Sequence, residues 1–139
     1  MYEYYSHDFT NGAALRDNEI FVFGSNLAGY HGRGAAKTAL LYFGAVYGVG
    51  QRFTGKCYAI PTKDHKIKTL PLEGIAIYVD SFISIAALFP ERVFIVTKIG
   101  CGLAGYKDHE IAPLFKGAPS NCKFHIDWKI YLGEDYESF

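Results

Sequence analysis

Two stretches of the 139-residue chain are built to meet an anion with main chain rather than with side chains. The first runs Gly24, Ser25, Asn26, Leu27, Ala28, Gly29, Tyr30, His31, Gly32, Arg33, Gly34. The second runs Ile99, Gly100, Cys101, Gly102, Leu103, Ala104, Gly105. Glycine lets backbone N–H groups come close to a ligand, and successive N–H groups ahead of a helix suit phosphate oxygens. Two such loops facing each other would suit a diphosphate, so a nucleotide-like ligand is expected. Between them lies Pro61-Thr62-Lys63-Asp64, which adds a hydroxyl, an amine and a carboxylate.

Two familiar phosphate motifs nearly fit. Gly100, Gly102 and Gly105 have G-x-G-x-x-G spacing, and Asp127 stands 22 residues after Gly105, as in a dinucleotide fingerprint. Only twelve residues remain beyond Asp127, too few for the further strands of an NAD-binding Rossmann half. Gly24 and Gly29 have the spacing of a P-loop, but Tyr30-His31 stand where Lys-Ser/Thr is required and Lys37-Thr38 come too late. The five histidines (His7, His31, His65, His109, His125) and three cysteines (Cys57, Cys101, Cys122) show no metal-ligand spacing, so neither a metal nor a cofactor is expected. An odd cysteine count at wide spacing reads as reduced thiols in a cytoplasmic protein.

The elements that position these loops follow from hydropathy. Residues 19–24, 56–60, 92–97 and 123–127 read as strands, the first of them buried on both faces. Proline 61 is expected to end the second strand. Helices are expected over about 35–47, from Pro71 to Phe89, and over about 109–115. The middle one carries an apolar stripe of Leu72, Ile75, Ala76, Val79, Phe82, Ile83 and Ala86, with Thr69 as its candidate cap. Residues 49–55 read as loop, and the acidic tail from 133 to 139 as loosely held. The order β-α-β-α-β-α-β implies one α/β domain, a parallel sheet with helices on both faces. In such a sheet, ligands bind beyond the strand C-termini. All three unusual loops fall on that edge.

Half of the residues are apolar and 17% aromatic, enough for a core without staples. Fourteen bases balance fourteen acids, so no broad face recruits nucleic acid or an anionic membrane. No apolar run is long enough to span a bilayer.

With the loops placed, the chain resembles the macrodomain superfamily of ADP-ribose-binding modules, over roughly residues 19–128. Ile99-Gly-Cys-Gly-Leu-Ala-Gly105 is similar to the I-G-C-G-L loop of the branch containing chromatin-remodeller macrodomains and the enzymes that remove terminal ADP-ribose from glutamate. Phe23-Gly-Ser-Asn26 through Gly32-Arg-Gly34 resembles the family's first ligand loop, in wording nearest to uncharacterised bacterial or phage members. Tyr58 to Lys63 resembles the strand that carries the lysine of the glutamate-deconjugating enzymes. The resemblance implies a three-layer α/β/α sandwich with a mainly parallel central sheet. It implies that the Ile99–Gly105 loop wraps the diphosphate and distal ribose, with Asn26 and Gly32 to Gly34 on the other side and Gly24, Ser25, His31 and Thr62 nearby. Lys63, with Asn26, would be catalytic, attacking the ribose C1″. The acid that assists that lysine stands where this chain has Ala104, and Asp64, His31, Asp108 or His109 are the candidates to replace it. Two functions follow: hydrolysis of an ADP-ribosyl bond on a protein or metabolite, or a reader or sponge that holds the nucleotide without turnover.

Overall fold

A computed structural model describes residues 2–6, 9 and 15–133. His7 and the acidic tail from 134 onward lie outside the described residues. Six strands form one sheet: β1 (Glu3–Tyr5), β2 (Glu19–Asn26), β3 (Arg52–Thr54), β4 (Cys57–Lys63), β5 (Val93–Val96) and β6 (Cys122–His125), in the order β1-β6-β5-β2-β4-β3. Every pairing is parallel except β3 with β4. Among the described residues there are four α-helices: α1 (Gly34–Tyr42), α2 (Leu72–Leu88) and α3 (Asp108–Ile111) lie between strands, and α4 (Lys129–Leu132) follows β6.

The centre of the sheet explains the run of apolar residues at 20–23. Successive side chains of a strand point to opposite faces. Ile20 and Val22 enter the cluster built around Ile75, Val79, Phe82 and Ala86 of α2, while Phe21 and Phe23 enter a smaller cluster with Ala36 and Ala39 of α1. The larger core is joined by edge-to-face rings: Phe82 lies 5.5 Å from Phe94 at 81° and 6.1 Å from Phe115 at 71°. Each fully buried Ile, Val or Phe of the α2 face contributes roughly 1.5–3 kcal/mol through removal from water, which is what holds the longest helix to the sheet.

Several expected boundaries move. Helix α1 stops at Tyr42, five residues short of the expected end. Gly44 has φ +85°, and the Phe43 and Ala45 N–H groups both return to the Ala39 carbonyl, a left-handed helix ending. Val46, expected on its apolar stripe, is exposed. Pro61 does not end its strand. The Phe21 N–H bonds to the Lys56 carbonyl, so alternate residues of β4 face β2 and Pro61 faces the other edge. There β3 has already ended, since Arg52 pairs with Ala59, and the missing N–H breaks no ladder bond. Strand β4 therefore carries Thr62 and Lys63 as strand residues, and β2 runs on to Asn26 through an irregularity after Ser25.

Two strands fall where none was expected. Residues 52–54 were expected as loop and instead pair antiparallel with β4. Strand β1 pairs with β6, and the Tyr5 hydroxyl donates to the Val96 carbonyl at 2.8 Å. Burial pushes that phenol well above its ordinary value. Asp127 does not end a strand; it lies in a 3-10 turn over Ile126–Trp128. The expected helix over 109–115 divides into α3 and a 3-10 turn over Ala112–Phe115. Thr69 caps nothing: Pro71 is the N-cap of α2 and has no side-chain cap bond. Among the described residues, no helix is long and apolar enough to cross a membrane.

Candidate functional site

Strands β2, β4 and β5 run parallel, so the chain leaves all three at one edge of the sheet. A cleft of about 630 Å³ opens there, within the range of small-molecule sites. Of the residues singled out in the sequence, it is lined by Gly24, Ser25, Asn26, Gly32, Gly34, Thr62, Lys63, Ile99, Gly100, Cys101, Gly102, Leu103 and Ala104. Segments far apart in the chain therefore meet at this edge. Two residues do not join them. Gly105 lines an adjoining cavity of about 260 Å³. His31 is turned away: it is 1% exposed, its Nε2 lies 3.1 Å from the carbonyls of both Val46 and Val49, and its ring packs edge-on against Phe23.

The first loop is held by its own polar side chains. The Asn26 amide closes on Tyr30 from both ends: Nδ2 donates to the Tyr30 carbonyl and Oδ1 accepts the Tyr30 N–H, each at 2.9 Å. The Ser25 hydroxyl donates to the Gly50 carbonyl. Thr62 Oγ1 donates to the Ser25 carbonyl at 3.1 Å, tying β4 to β2 at the cleft floor. These three side chains thus shape the cleft. The loop then enters α1, whose first residues Gly34, Ala35 and Ala36 line the cleft. Arg33 is the N-cap, no side chain caps it, and the first turn holds no acid. The unpaired N–H groups at this end carry partial positive charge toward the cleft.

The Ile99–Gly105 loop, third in chain order after those at Gly24–Gly34 and Pro61–Asp64, turns back on itself through Tyr106 N–H to Gly100 carbonyl, at 2.9 Å. Gly100 packs under Ile111 of α3, where a Cβ would come within 3.0 Å of Ile111 Cδ1. Outside contacts fix the far side. Thr69 Oγ1 donates to the Ala104 carbonyl at 3.0 Å, and the Tyr106 hydroxyl donates to the Leu70 carbonyl at 2.7 Å. Gly102 differs from Gly100 and Gly105: a Cβ there would meet nothing within 4 Å and its φ is not in the left-handed region, and the same holds for Gly32. These two glycines leave space over the cleft that the fold does not need.

The charges in the cleft are of one sign. Arg33, Lys63 and Lys98 line it, and among the described residues lining it there is no carboxylate and no histidine. Lys98 is paired to Asp127 at 3.0 Å and to Asp108 at 3.5 Å, and these partners raise its pKa. Arg33 and Lys63 make no ion pair among the described residues. None of the four candidate replacements for the missing acid reaches the cleft lining. Asp64 accepts the Lys66 and Lys68 N–H groups at 2.8 and 3.0 Å, which hold its carboxyl below the usual range. Asp108 sits beneath the third loop. Its burial raises its pKa, but the 2.9 Å bond from Trp128 Nε1 and contacts with Cys101 and Lys98 outweigh that and lower it. His109 is exposed on α3, outside the cleft lining, and His31 faces the core. The Cys101 thiol, pushed up to about 12 by burial first and by Asp108 second, stays protonated at neutral pH.

Tyr30, Arg33, Ile67, Thr97 and Lys98 also line the cleft and were not singled out in the sequence. Tyr30 and Arg33 lie inside the first glycine loop and Lys98 borders the third, so proximity was available as a signal. Ile67 offered none. All three cysteines are free, and no cluster suited to a metal ion occurs among the described residues. Comparison with protein-family models, with curated proteins and with solved structures finds no match to this chain.

Proposed function

We propose that this cleft binds ADP-ribose or a close derivative and holds it without cleaving it, in a macrodomain-like α/β/α arrangement. The observation that carries the reading is the sign of the site. Two glycine-rich loops, the uncapped start of α1 and two cations that have no ion-pair partner among the described residues converge on one cleft, and no described residue of its lining is an acid. A diphosphate supplies the negative charge that such a cleft lacks. Catalysis asks for more. Hydrolysis of a glycosidic ester needs a proton delivered to the leaving carboxylate, and the position that would supply it is Ala104. The carboxylates beside its lining residues are committed elsewhere, Asp64 to its own loop, Asp108 to Trp128 and Asp127 to Lys98.

Titration calorimetry with ADP-ribose tests the reading. Binding in the micromolar range or tighter is expected, on the order of −8 kcal/mol. Absence of both heat and thermal shift at millimolar ligand rules it out. Lys63 lines the cleft and keeps a second reading in view, that of an ADP-ribosyl hydrolase. Incubation with a peptide ADP-ribosylated on glutamate is expected to leave it intact. Turnover that disappears in Lys63→Ala would replace the binding module with the enzyme.

A further inference from the structure

The cleft has a second character at its mouth. Tyr30, Ile67 and Leu103 line the same cavity as the glycine loops yet are 52%, 40% and 62% exposed. Large apolar side chains left in water beside a cationic floor call for a reason. Tyr30 is presented on a rigid base. The Asn26 amide fixes its backbone at both N–H and carbonyl, and its ring is stacked on Tyr47, with centroids 5.5 Å apart and planes 25° from parallel. Ile67 is presented at a cost in strain. Its φ is +64°, the left-handed region that a β-branched residue adopts only when its surroundings impose it. The surroundings are explicit: Asp64 accepts from Lys66 and Lys68, and its own N–H bonds to the Lys68 carbonyl at 2.8 Å. A loop that only had to turn would place glycine or asparagine at that position. Isoleucine supplies apolar surface instead. The Thr69 bond to Ala104 ties this loop to the one carrying Leu103.

We infer that Tyr30, Ile67 and Leu103 form a subsite for the planar base of the diphosphate-linked ligand, gripping the ring by its faces without reading its edge. Stacking on a tyrosine is tolerant of ring identity, because every base has a π-face. Edge reading needs uncommitted hydrogen-bonding groups. Ser25, Asn26, Thr62 and Thr97 each already donate to a backbone carbonyl, Lys98 is paired to Asp127 and Asp108, Arg33 and Lys63 are the cations this reading gives to the diphosphate, and among the described residues no carboxylate lines the cleft to accept from an exocyclic amine. The ligand class is therefore a nucleoside diphosphate sugar whose base is required but loosely specified.

This inference rests on the diphosphate reading of the cleft, and three probes separate the two. Calorimetry compares ADP-ribose, the analogue with inosine in place of adenosine, and ribose 5-diphosphate, which has no base. The two base-bearing ligands should bind within about threefold of each other, and ribose 5-diphosphate about 30-fold more weakly. Tyr30→Ala should weaken both base-bearing ligands about tenfold or more and leave ribose 5-diphosphate within about twofold, while Tyr30→Phe restores affinity. Ile67→Gly relieves the backbone strain, so it should raise the melting temperature while weakening the base-bearing ligands; a loop with a purely structural role would gain stability and keep its affinity. Equal binding of ribose 5-diphosphate, unchanged affinities in Tyr30→Ala, or a preference above about tenfold for ADP-ribose over the inosine analogue would overturn the subsite alone. Failure of all three probes to bind would remove the diphosphate reading with it.

Discussion

The two glycine-rich loops face each other across one cleft but are secured by opposite means. The first is tied from behind, by buried polar groups reaching the 46–50 segment: Ser25 to Gly50, His31 to Val46 and Val49, and the Gly48 N–H to the Gly29 carbonyl at 2.8 Å. The third is tied from the side, by exposed or half-buried bonds from Thr69 and Tyr106 and by Gly100 packing on Ile111. Glycine serves two different ends within them: Gly29 and Gly100 sit against other parts of the fold, Gly32 and Gly102 against nothing. In the first loop, Gly29 is there because another backbone lies against it. In the third, Gly102 is there although nothing in the fold occupies its space. A glycine needed by the fold and a glycine left for a ligand are indistinguishable as letters, and differ entirely in what a methyl group would meet.

That contrast can be broken by substitution. Gly29→Ala should have the largest effect: its Cβ would collide with the Gly48 backbone at a φ of +74°, and a loss of about 3 kcal/mol or more is expected in urea denaturation. His31→Ala comes next. Removing a buried ring bonded to two carbonyls should cost about 2–3 kcal/mol, whereas Thr69→Val, which removes an exposed bond, should cost no more than about 1 kcal/mol. Equal costs would mean the two loops are not held differently. Gly102→Val should change stability by less than about 0.5 kcal/mol yet weaken ADP-ribose about 30-fold or more, since Gly102 borders the cleft and a Cβ there meets no part of the fold within 4 Å. Retained binding would take the third loop out of the site.

A smaller effect separates the loops by titration, because only the third carries a thiol. An unfolded cysteine ionises near 9 and Cys101 in the fold near 12, so its contribution is intact below pH 9 and is lost as pH climbs toward 12. The slope is at most about 1.4 kcal/mol per pH unit and less after allowance for partial exposure. Cys57 and Cys122 are shifted upward too, so the measurement is the difference in melting temperature between the protein and Cys101→Ala across pH 8–11. Parallel curves would show that the thiol is not coupled to the loop.

Much of the site's placement was legible because it followed from a rule about sheets rather than from any one residue. Alternating strands and helices implied a parallel sheet, and a parallel sheet sends its outgoing loops to one edge. What stayed hidden depended on partners distant in sequence. Glu3-Tyr4-Tyr5 has no local signature of a strand; it becomes one because Cys122–His125 lies beside it. Residues 52–54 are a strand only by virtue of β4. Pro61 misled because a rule for central ladders was applied to a residue whose N–H side faces past the end of its neighbour. His31 was placed on the ligand side because it sits in the loop, and the carbonyls that claim it come from the 46–50 segment, 15 and 18 residues further on. The strain at Ile67 is a backbone angle, and no residue name reports it.

The pairing of β1 with β6 bears on how the chain comes together. During synthesis, Glu3–Tyr5 leaves the ribosome well before Cys122–His125, its strand partner among the described residues. One edge of the sheet thus waits for about 120 further residues, while β2 must bridge about 70 residues to reach β5. The cleft opens where the second of these pairings ends, at the edge where the chain leaves β2 and β5. A chain ending after β4 would therefore hold its aromatic strands without α2 and β5 to cover them and without the Ile99–Gly105 side of the cleft.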